Sequence, residues 1–266
     1  MQTINFIKAC SIGNDFVIIK DHPFNTKEKL SSESQHFSDR HWGIGCDQVI
    51  YFKQNHDSYD VRFFNADGSE AEMCGNGARC LAKLITDEIS ANSVKFKTKG
   101  GMLICEKRDD QILIYHNKPK VIQALEDKSE KRFEQIYFIN VGNPHLVCFL
   151  KNKKDFDFID LFAPKLETEF YSKEFGIPKR VNVGFVFVED KETIELRVWE
   201  RGCGFTKGCG SGACAAAVAA LASQKITNQI LVQQPGGLTG VHLHEDGIMT
   251  IGQAFITYRG TIELAQ

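Results

Sequence analysis

The most constraining feature of this chain is a five-residue pattern, Cys-Gly-X-Gly-Ala, that occurs at residues 74–78 and again at residues 209–213. Each copy follows a strand-like run and leads into a helix-forming segment. Cys74 and Cys209 lie 135 positions apart, and the strand-like runs before them have the same offset. The common offset predicts a duplicated unit in which two equivalent cysteines begin two equivalent helices.

The size and composition of the chain fit such a duplication. A repeat of 135 residues is itself domain-sized, and 266 residues accommodate two. A hydrophobic content of 42% with 25% charged residues is typical of a soluble globular protein. The 32 basic and 34 acidic residues are balanced, which argues against a nucleic-acid partner or an anionic membrane surface. The N-terminus reads as a strand rather than a signal peptide, so we expect a cytoplasmic protein.

Short β-rich segments dominate both halves, and helices interrupt them. Apolar spacing predicts four helices, at about residues 27–42, 77–88, 161–170 and 212–223. The polar stretch at residues 118–131 is predicted to be an inter-domain linker.

Cysteine usage separates two thiols from the rest. The chain has nine cysteines, an odd number with no Cys-X-X-Cys pair, which argues against a disulfide framework and a zinc site. Seven are therefore expected to be small, mostly buried apolar side chains: Cys10, Cys46, Cys80, Cys105, Cys148, Cys203 and Cys214. Cys74 and Cys209 differ because each is predicted to sit at a helix start.

A cysteine at a helix N-terminus lies in the positive end of the helix dipole, which favours the thiolate. A single such thiol would suggest nucleophilic catalysis, and His145 could activate it. Two equivalent thiols facing each other suggest instead that one removes a proton from a carbon while the other donates a proton to the opposite face. The free N–H groups of both glycine turns are suited to bind the substrate carboxylate.

Seven motifs in consistent order then resemble diaminopimelate epimerase. They are Gly-Asn-Asp-Phe at residues 13–16, Gly-Ile-Gly-Cys-Asp-Gln at 43–48, Phe-Asn-Ala-Asp-Gly-Ser-Glu at 64–70, Cys-Gly-Asn-Gly-Ala-Arg-Cys at 74–80, Gly-Asn-Pro-His at 142–145, Arg-Val-Asn-Val-Gly-Phe at 180–185, and Glu-Arg-Gly through Cys-Gly-Ser-Gly-Ala-Cys at 200–214. Two places depart from the family pattern, at residues 10–12 and 203–208. Neither departure touches a residue assigned to the chemistry.

The resemblance implies an α+β fold of two similar pseudo-symmetric domains, each a strongly curved, mostly antiparallel sheet around a central helix. We expect an N-terminal domain at residues 1–117, completed by a last strand at about 260–266, and a C-terminal domain at 118–259. The resemblance also implies a homodimer that epimerises LL-2,6-diaminopimelate to the meso form without pyridoxal phosphate, another cofactor or a metal. Lysine and peptidoglycan precursor synthesis is the implied pathway.

The resemblance also implies roles for individual residues. Cys74 and Cys209 are the acid/base pair, and His145 and Glu200 assist them. Substrate-binding residues are implied at Asn14, Gln48, Asn65, Gly75, Asn76, Asn143, Asn182, Glu200, Arg201, Gly210 and Ser211. A guanidinium, a carboxylate and several amides suit a substrate with two amino acid ends.

Three alternatives remain open. A related two-cysteine racemase of the proline racemase type is the nearest, although Asn76 and Arg79 point away from it. A non-catalytic amino acid binding protein of the same fold is disfavoured because both cysteines are present. A cysteine hydrolase that pairs Cys74 or Cys209 with His145 is the third.

Overall fold

The computed structural model describes residues 3–24, 26–126, 132–170, 172–173 and 176–264. The chain divides into two compact units. The N-terminal unit comprises Met1–Tyr115 and Gly252–Gln266, and the C-terminal unit comprises His116–Ile251. Compact units are not by themselves independently folding domains, so the domain limits expected from the sequence, at 117/118 and about 259/260, stay a prediction.

The N-terminal unit alternates strands with two helices. Its elements are β1 (Thr3–Ser11), β2 (Asn14–Lys20), α1 (Lys27–Ser38), β3 (Gln48–Asn55), β4 (Ser58–Asn65), β5 (Glu70–Ala71), α2 (Gly75–Ile89), β6 (Ser93–Thr98), β7 (Gly101–Arg108) and β8 (Gln111–His116).

The C-terminal unit also alternates strands with helices, and the chain returns to the N-terminal unit after β17. Its elements are β9 (Val121–Leu125), β10 (Gln135–Asn140), β11 (Pro144–Phe149), a 3₁₀ helix (Lys153–Leu161), α3 (Ala163–Glu169), β12 (Asn182–Val188), β13 (Thr193–Glu200), β14 (Gly204–Thr206), α4 (Gly210–Ala222), β15 (Gln229–Gln234), β16 (Gly237–His244) and β17 (Gly247–Gln253). Strand β18 (Phe255–Glu263) then belongs to the N-terminal unit.

The strand pairing of the two units is the same, step for step. In the N-terminal unit β18 and β2 flank β1 antiparallel, β2 pairs parallel with β3, and β4 pairs antiparallel with β3 and β5 but parallel with β6. Strands β6, β7 and β8 follow as an antiparallel meander. In the C-terminal unit, β9 to β17 repeat every one of these steps in order, including the two parallel pairs. The expected duplicated, mostly antiparallel α+β fold is confirmed.

One long helix packs on the sheet of each unit. Helix α2 contacts β1, β2, β6, β7 and β18, and its apolar side chains, including Leu81 and Ile85, are buried. Helix α4 contacts β10 to β13, β15 and β16. Its run Ala215–Ala220 is buried on all sides, because small side chains let the sheet approach the helix closely.

One expectation about secondary structure is wrong. Residues 121–125 of the predicted linker form β9, which pairs antiparallel with β10; residues 127–131 of that linker lie outside the described residues. The four apolar residues of β9 stand among charges, which hid their pattern. A 3₁₀ helix also precedes α3, and Pro164 at the first turn marks the start of α3.

The cysteines outside the repeated turns mostly behave as expected. Cys46, Cys80, Cys105, Cys148 and Cys214 are buried. The expectation is wrong for Cys203, which is exposed, and Cys10 is only half-buried. Cys203 lies in the tight turn between β13 and β14. Burial raises the pKa of Cys46 to about 11 and that of Cys105 to about 12.

No helix among the described residues combines the length and the apolar character that crossing a membrane requires.

Candidate active site

The first cysteine turn joins β5 to helix α2. Cys74 is the N-cap residue, with φ −135° and ψ 114°, and its Sγ accepts a hydrogen bond from the Gly77 N–H at 3.4 Å. Gly77 is required by packing, because a Cβ there would lie 3.0 Å from Ile50 Cδ1 and 3.1 Å from Phe63. The sheet therefore presses directly on the turn that carries the thiol.

The second cysteine turn, between β14 and α4, repeats this geometry. Cys209 is the N-cap residue, with φ −128° and ψ 113°, and the Gly212 N–H donates to its Sγ at 3.3 Å. A Cβ on Gly212 would lie 2.9 Å from Val198 Cγ2. As expected from the sequence, a cysteine begins each helix. The N–H donor and the positive end of the helix dipole both stabilise negative charge on the sulfur.

In the N-terminal unit a chain of amides lies beside the first turn. The Asn14 Nδ2 donates to Asp47 Oδ2 at 2.6 Å, and Asn14 Oδ1 accepts from Asn76 Nδ2 at 3.2 Å. Asn76 Oδ1 in turn accepts from the Arg79 guanidinium at 2.9 Å. Asn76 and Arg79 are each only 1% exposed. The amide orientations of Asn14 and Asn76 are thus set by their neighbours.

Gln48 and Asn65 form a second amide pair in this unit, opposite each other on β3 and β4. Gln48 Nε2 donates to Asn65 Oδ1 at 2.6 Å, and Asn65 Nδ2 donates to Ser69 Oγ at 2.9 Å. Gln48 Oε1 is buried with no hydrogen-bond donor among the described residues. This oxygen is an acceptor suited to a substrate ammonium group.

Sequence reasoning missed the ionic cluster that supports Asn14. Arg40 donates to both carboxylate oxygens of Asp15 and to Asp47, and Lys8 donates to Asp15 at 2.7 Å. Burial alone would raise the pKa of Asp15, but the hydrogen bonds from Arg40 and Lys8 outweigh it and hold that pKa at about 2. The partners are 7 to 32 positions apart in sequence, and no local pattern marks them.

In the C-terminal unit, Ser211 connects the second turn to a histidine. The Ser211 hydroxyl lies 3.6 Å from Cys209 Sγ, 2.9 Å from His145 Nε2 and 3.4 Å from Asn143 Nδ2. His145 is fully buried. Burial, and then the positive charge of Arg201, lowers the pKa of His145 to about 3, so the imidazole is neutral at pH 7.

The remaining predicted residues lie at the ends of β12 and β13. Asn182 Oδ1 accepts from the Arg201 N–H at 2.9 Å, and Asn182 Nδ2 donates to the Pro144 carbonyl at 3.4 Å. Glu200 Oε1 accepts from the Thr206 hydroxyl at 2.6 Å. Asn182 therefore connects the β13–β14 turn to β11, the strand that carries His145. It also fixes the backbone N–H of Arg201.

Sequence reasoning also missed Gln234, whose Oε1 accepts the Cys209 backbone N–H at 2.7 Å. A signal was present. Along β15 the buried positions are Ile230, Val232 and Gln234, so a polar residue occupies a place where the alternation predicts an apolar one. Within the described ranges, no three or more His, Cys, Asp or Glu side chains are arranged to hold a metal ion.

Known proteins of one family resemble this chain along most of its length. The family model for diaminopimelate epimerase matches residues 6–122 and 137–257, one match in each half of the chain. The diaminopimelate epimerase of Pseudomonas syringae pv. tomato is 34% identical, over 98% of this chain and 99% of its own length. That of Methanocaldococcus jannaschii is also 34% identical, over 96% and 97%.

Solved structures share the fold at low identity. A phenazine biosynthesis protein of the PhzF family from Bacillus anthracis has a TM-score of 0.78 at 15% identity, covering 99% of this chain and all of its own. A hydroxyproline epimerase from Agrobacterium vitis has a TM-score of 0.71 at 11% identity, covering 98% of this chain and 92% of its own. With two family-model matches and full-length relatives at 34% identity, the chain belongs to the diaminopimelate epimerase family of isomerases.

Proposed function

We propose that this enzyme converts LL-2,6-diaminopimelate to meso-diaminopimelate with Cys74 and Cys209 as an acid/base pair. The observation that carries the proposal is the equivalence of the two cysteine turns. Both thiols are N-cap residues with φ and ψ values within a few degrees of each other, and both accept a backbone N–H from the glycine three residues later.

The reaction needs one proton shared between two sulfurs. One cysteine, as thiolate, takes the proton from the α-carbon and breaks the Cα–H bond. The electron pair delocalises into the carboxylate, and the other cysteine, as thiol, donates its proton to the opposite face. The products are an inverted α-carbon and a pair of sulfurs with exchanged protonation states. The two titrations are therefore coupled.

The backbone N–H groups of both glycine turns bind the α-carboxylate at the reacting centre. The first N–H groups of a helix have no acceptor within that helix, and they point at the space in front of it. In this proposal the donors are those of Gly75, Asn76, Gly210 and Ser211. They stabilise the charge that develops on the carboxylate as the proton leaves.

The two units contribute different side chains to binding the rest of the substrate. Arg201 binds a carboxylate and Glu200 an ammonium group, while Asn143 and Asn182 contribute amides. Asn14, Gln48 and Asn65 of the N-terminal unit contribute further amides to substrate binding. His145 assists as a neutral imidazole next to Ser211, and Glu200 assists near the reacting carbon.

In this proposal the enzyme uses no pyridoxal phosphate, other cofactor or metal. It acts in the cytoplasm as a homodimer. The meso-diaminopimelate formed serves lysine and peptidoglycan precursor synthesis. The alternative is a two-cysteine amino acid racemase of the proline racemase type. The hydroxyproline epimerase that shares this fold was solved with trans-4-hydroxy-L-proline bound.

The test is to incubate the purified chain with LL-diaminopimelate, a chelator and no added cofactor, and to separate the isomers by chiral chromatography. We expect the meso isomer to accumulate to equilibrium. L-Proline and trans-4-hydroxy-L-proline are assayed in parallel. Racemisation of either imino acid without turnover of diaminopimelate would assign the chain to the alternative.

A further inference from the structure

Gln234 ends strand β15 with its side chain turned into the protein. It is 5% exposed, and its Oε1 accepts the backbone N–H of Cys209 at 2.7 Å. Of the two ends of the Gln234 amide only the oxygen can accept an N–H, so this bond determines the orientation of the amide. Gln234 Nε2 is then buried, with no hydrogen-bond acceptor among the described residues.

Stability alone does not favour glutamine at this position. A buried amide N–H₂ without an acceptor costs free energy that an apolar side chain of the same shape would not. The neighbours on the same face of the strand, Ile230 and Val232, are apolar and buried. What the glutamine contributes is the acceptor for Cys209.

The N-terminal unit has an equivalent hairpin with a different residue. The Gly236 N–H donates to the Lys207 carbonyl at 2.7 Å, as the Gly100 N–H donates to the Glu72 carbonyl at 2.8 Å. In those two hairpins Gln234 pairs with Gly237 and Thr98 pairs with Gly101. The position equivalent to Gln234 is therefore Thr98.

Thr98 uses its side chain differently. Its hydroxyl donates to the Gly101 carbonyl at 2.8 Å, within its own hairpin. A threonine side chain is also shorter than a glutamine side chain. The Thr98 hydroxyl therefore does not act as Gln234 Oε1 does at the second cysteine turn.

We propose that Gln234 is a positioning residue that holds the Cys209 N-cap in place for proton transfer. The inference rests on the proposed acid/base role of Cys209. The hydrogen bond from the Cys209 N–H fixes the φ angle of the N-cap residue, which sets the direction of its Cα–Cβ bond and hence of Sγ. The Gly212 N–H and the Ser211 hydroxyl hold the sulfur itself, so Cys209 is fixed at both ends.

Three variants test this role. Gln234→Leu removes the buried amide N–H₂ that lacks an acceptor, but it leaves the Cys209 N–H without the oxygen of Gln234. These two effects on stability oppose each other, so we expect a Tm close to that of the wild type but a kcat about tenfold lower. Gln234→Glu keeps an acceptor oxygen and adds a negative charge near the sulfur. Gln233→Leu makes the same change at the exposed neighbour and is the matched control.

The second readout is the pH dependence of iodoacetamide alkylation, followed peptide by peptide by mass spectrometry. In Gln234→Glu the midpoint for Cys209 should move up by about one pH unit, while that for Cys74 stays. Gln233→Leu should change neither kcat nor either midpoint. This readout separates positioning from folding, because a global loss of stability would affect both cysteines.

Wild-type kcat in a folded Gln234→Leu protein would overturn the inference. So would a Gln234→Glu protein in which the Cys209 midpoint stays, or moves together with that of Cys74. If the wild type does not epimerise diaminopimelate, the proposed function fails, and the alkylation arm still decides whether Gln234 acts on Cys209. Should Gln234→Leu not fold, the Gln234→Glu protein decides the outcome.

Discussion

The two cysteine turns have the same backbone and different surroundings. At both, a cysteine caps a helix and accepts the N–H of a glycine three residues later. Around Cys74 the polar neighbours are amides and a guanidinium, with Asn76 held between Asn14 and Arg79. Around Cys209 they are the hydroxyl of Ser211 and a neutral imidazole. Duplication preserved the turn that presents each thiol, and the side chains around it diverged.

In the proposed function, the matched backbone of the two turns serves proton transfer, and the side chains that differ serve substrate recognition. In that proposal, proton removal and proton return use two equivalent thiols, one from each of the matched turns. In the same proposal, discrimination between the two ends of a diamino dicarboxylate depends on the side chains that differ between the two turns. The equivalent hairpin positions differ as well, since Gln234 accepts the Cys209 N–H while the Thr98 hydroxyl donates within its own hairpin.

The strongest test of the equivalence is removal of each thiol in turn. Cys74→Ala and Cys209→Ala should each lower kcat for epimerisation by about 10³-fold or more, because neither sulfur can both remove and return the proton. The measurement is the initial rate of meso formation in each variant. Cys203→Ala, which removes an exposed thiol, is the control and should retain activity. A Cys209→Ala protein with near-normal activity would break the equivalence.

The second prediction concerns the acid sensitivity of the C-terminal unit. The pKa of His145 is lowered from 6.5 to about 3, so below pH 6.5 the unfolded state binds a proton that the folded state does not. Stability should therefore fall by about 1.4 kcal/mol for each pH unit between pH 6.5 and the folded-state pKa. Urea unfolding from pH 7.5 to 4.5 measures this slope.

His145→Asn should flatten that slope, while His244→Asn, at an exposed histidine, should leave it unchanged. In the N-terminal unit the corresponding group is Asp15, whose pKa is lowered from 3.8 to about 2. Its contribution is complete above pH 3.8 and is lost only as the pH falls toward 2. An unchanged slope in His145→Asn would contradict the neutral, buried imidazole.

The third prediction compares the glycines that pack beneath the two turns. Gly77→Ala and Gly212→Ala should each destabilise the protein by about 1–3 kcal/mol, because the new methyl group would contact side chains of the sheet at 3.0 Å or less. Chemical denaturation measures both. Adding Val198→Ala should relieve the Gly212→Ala defect, since Cγ2 of Val198 is the nearest atom, and should not relieve Gly77→Ala.

The smallest expected effect lies in the ionic cluster of the N-terminal unit. Arg40→Met removes two hydrogen bonds from Asp15 and should cost about 1 kcal/mol at pH 7, because Arg40 is half exposed and Lys8 still pairs with Asp15. The matched control is Arg259→Met, which breaks a surface pair with Glu88 and should cost less. Equal losses in the two variants would show that the cluster adds nothing to an ordinary surface pair.

The parts of the site that the sequence predicted are those with a local signature. Cys-Gly-X-Gly-Ala specifies a helix start because the glycines allow close packing and the cysteine caps the N-terminus, and both turns have this form. The parts it did not predict depend on contacts made by the folded chain. Arg40 meets Asp15 across 25 positions, and Gln234 meets Cys209 across the same separation. Pairs of this kind leave no period in the sequence.

The limits of the fold prediction have similar causes. The repeat predicted the duplicated topology because a common offset relates whole units. Strand β9 was missed because five residues with charged flanks do not stand out as a strand, and its identity comes from pairing with β10. Gln234 is an exception in part. Its polar side chain interrupts the apolar alternation of β15 in the sequence, but only the folded structure shows that it pairs with the Cys209 N–H.

The most direct test of the central claim is isotope incorporation in D₂O. Wild-type protein is incubated with LL-diaminopimelate in D₂O without added cofactor, and the meso product is analysed by NMR and mass spectrometry at early times. We expect one deuterium, at the inverted α-carbon. One cysteine removes the original proton, and the other cysteine, whose thiol has exchanged with D₂O, donates a deuteron. Meso product that keeps the original α-proton would contradict two cysteines acting as separate acid and base.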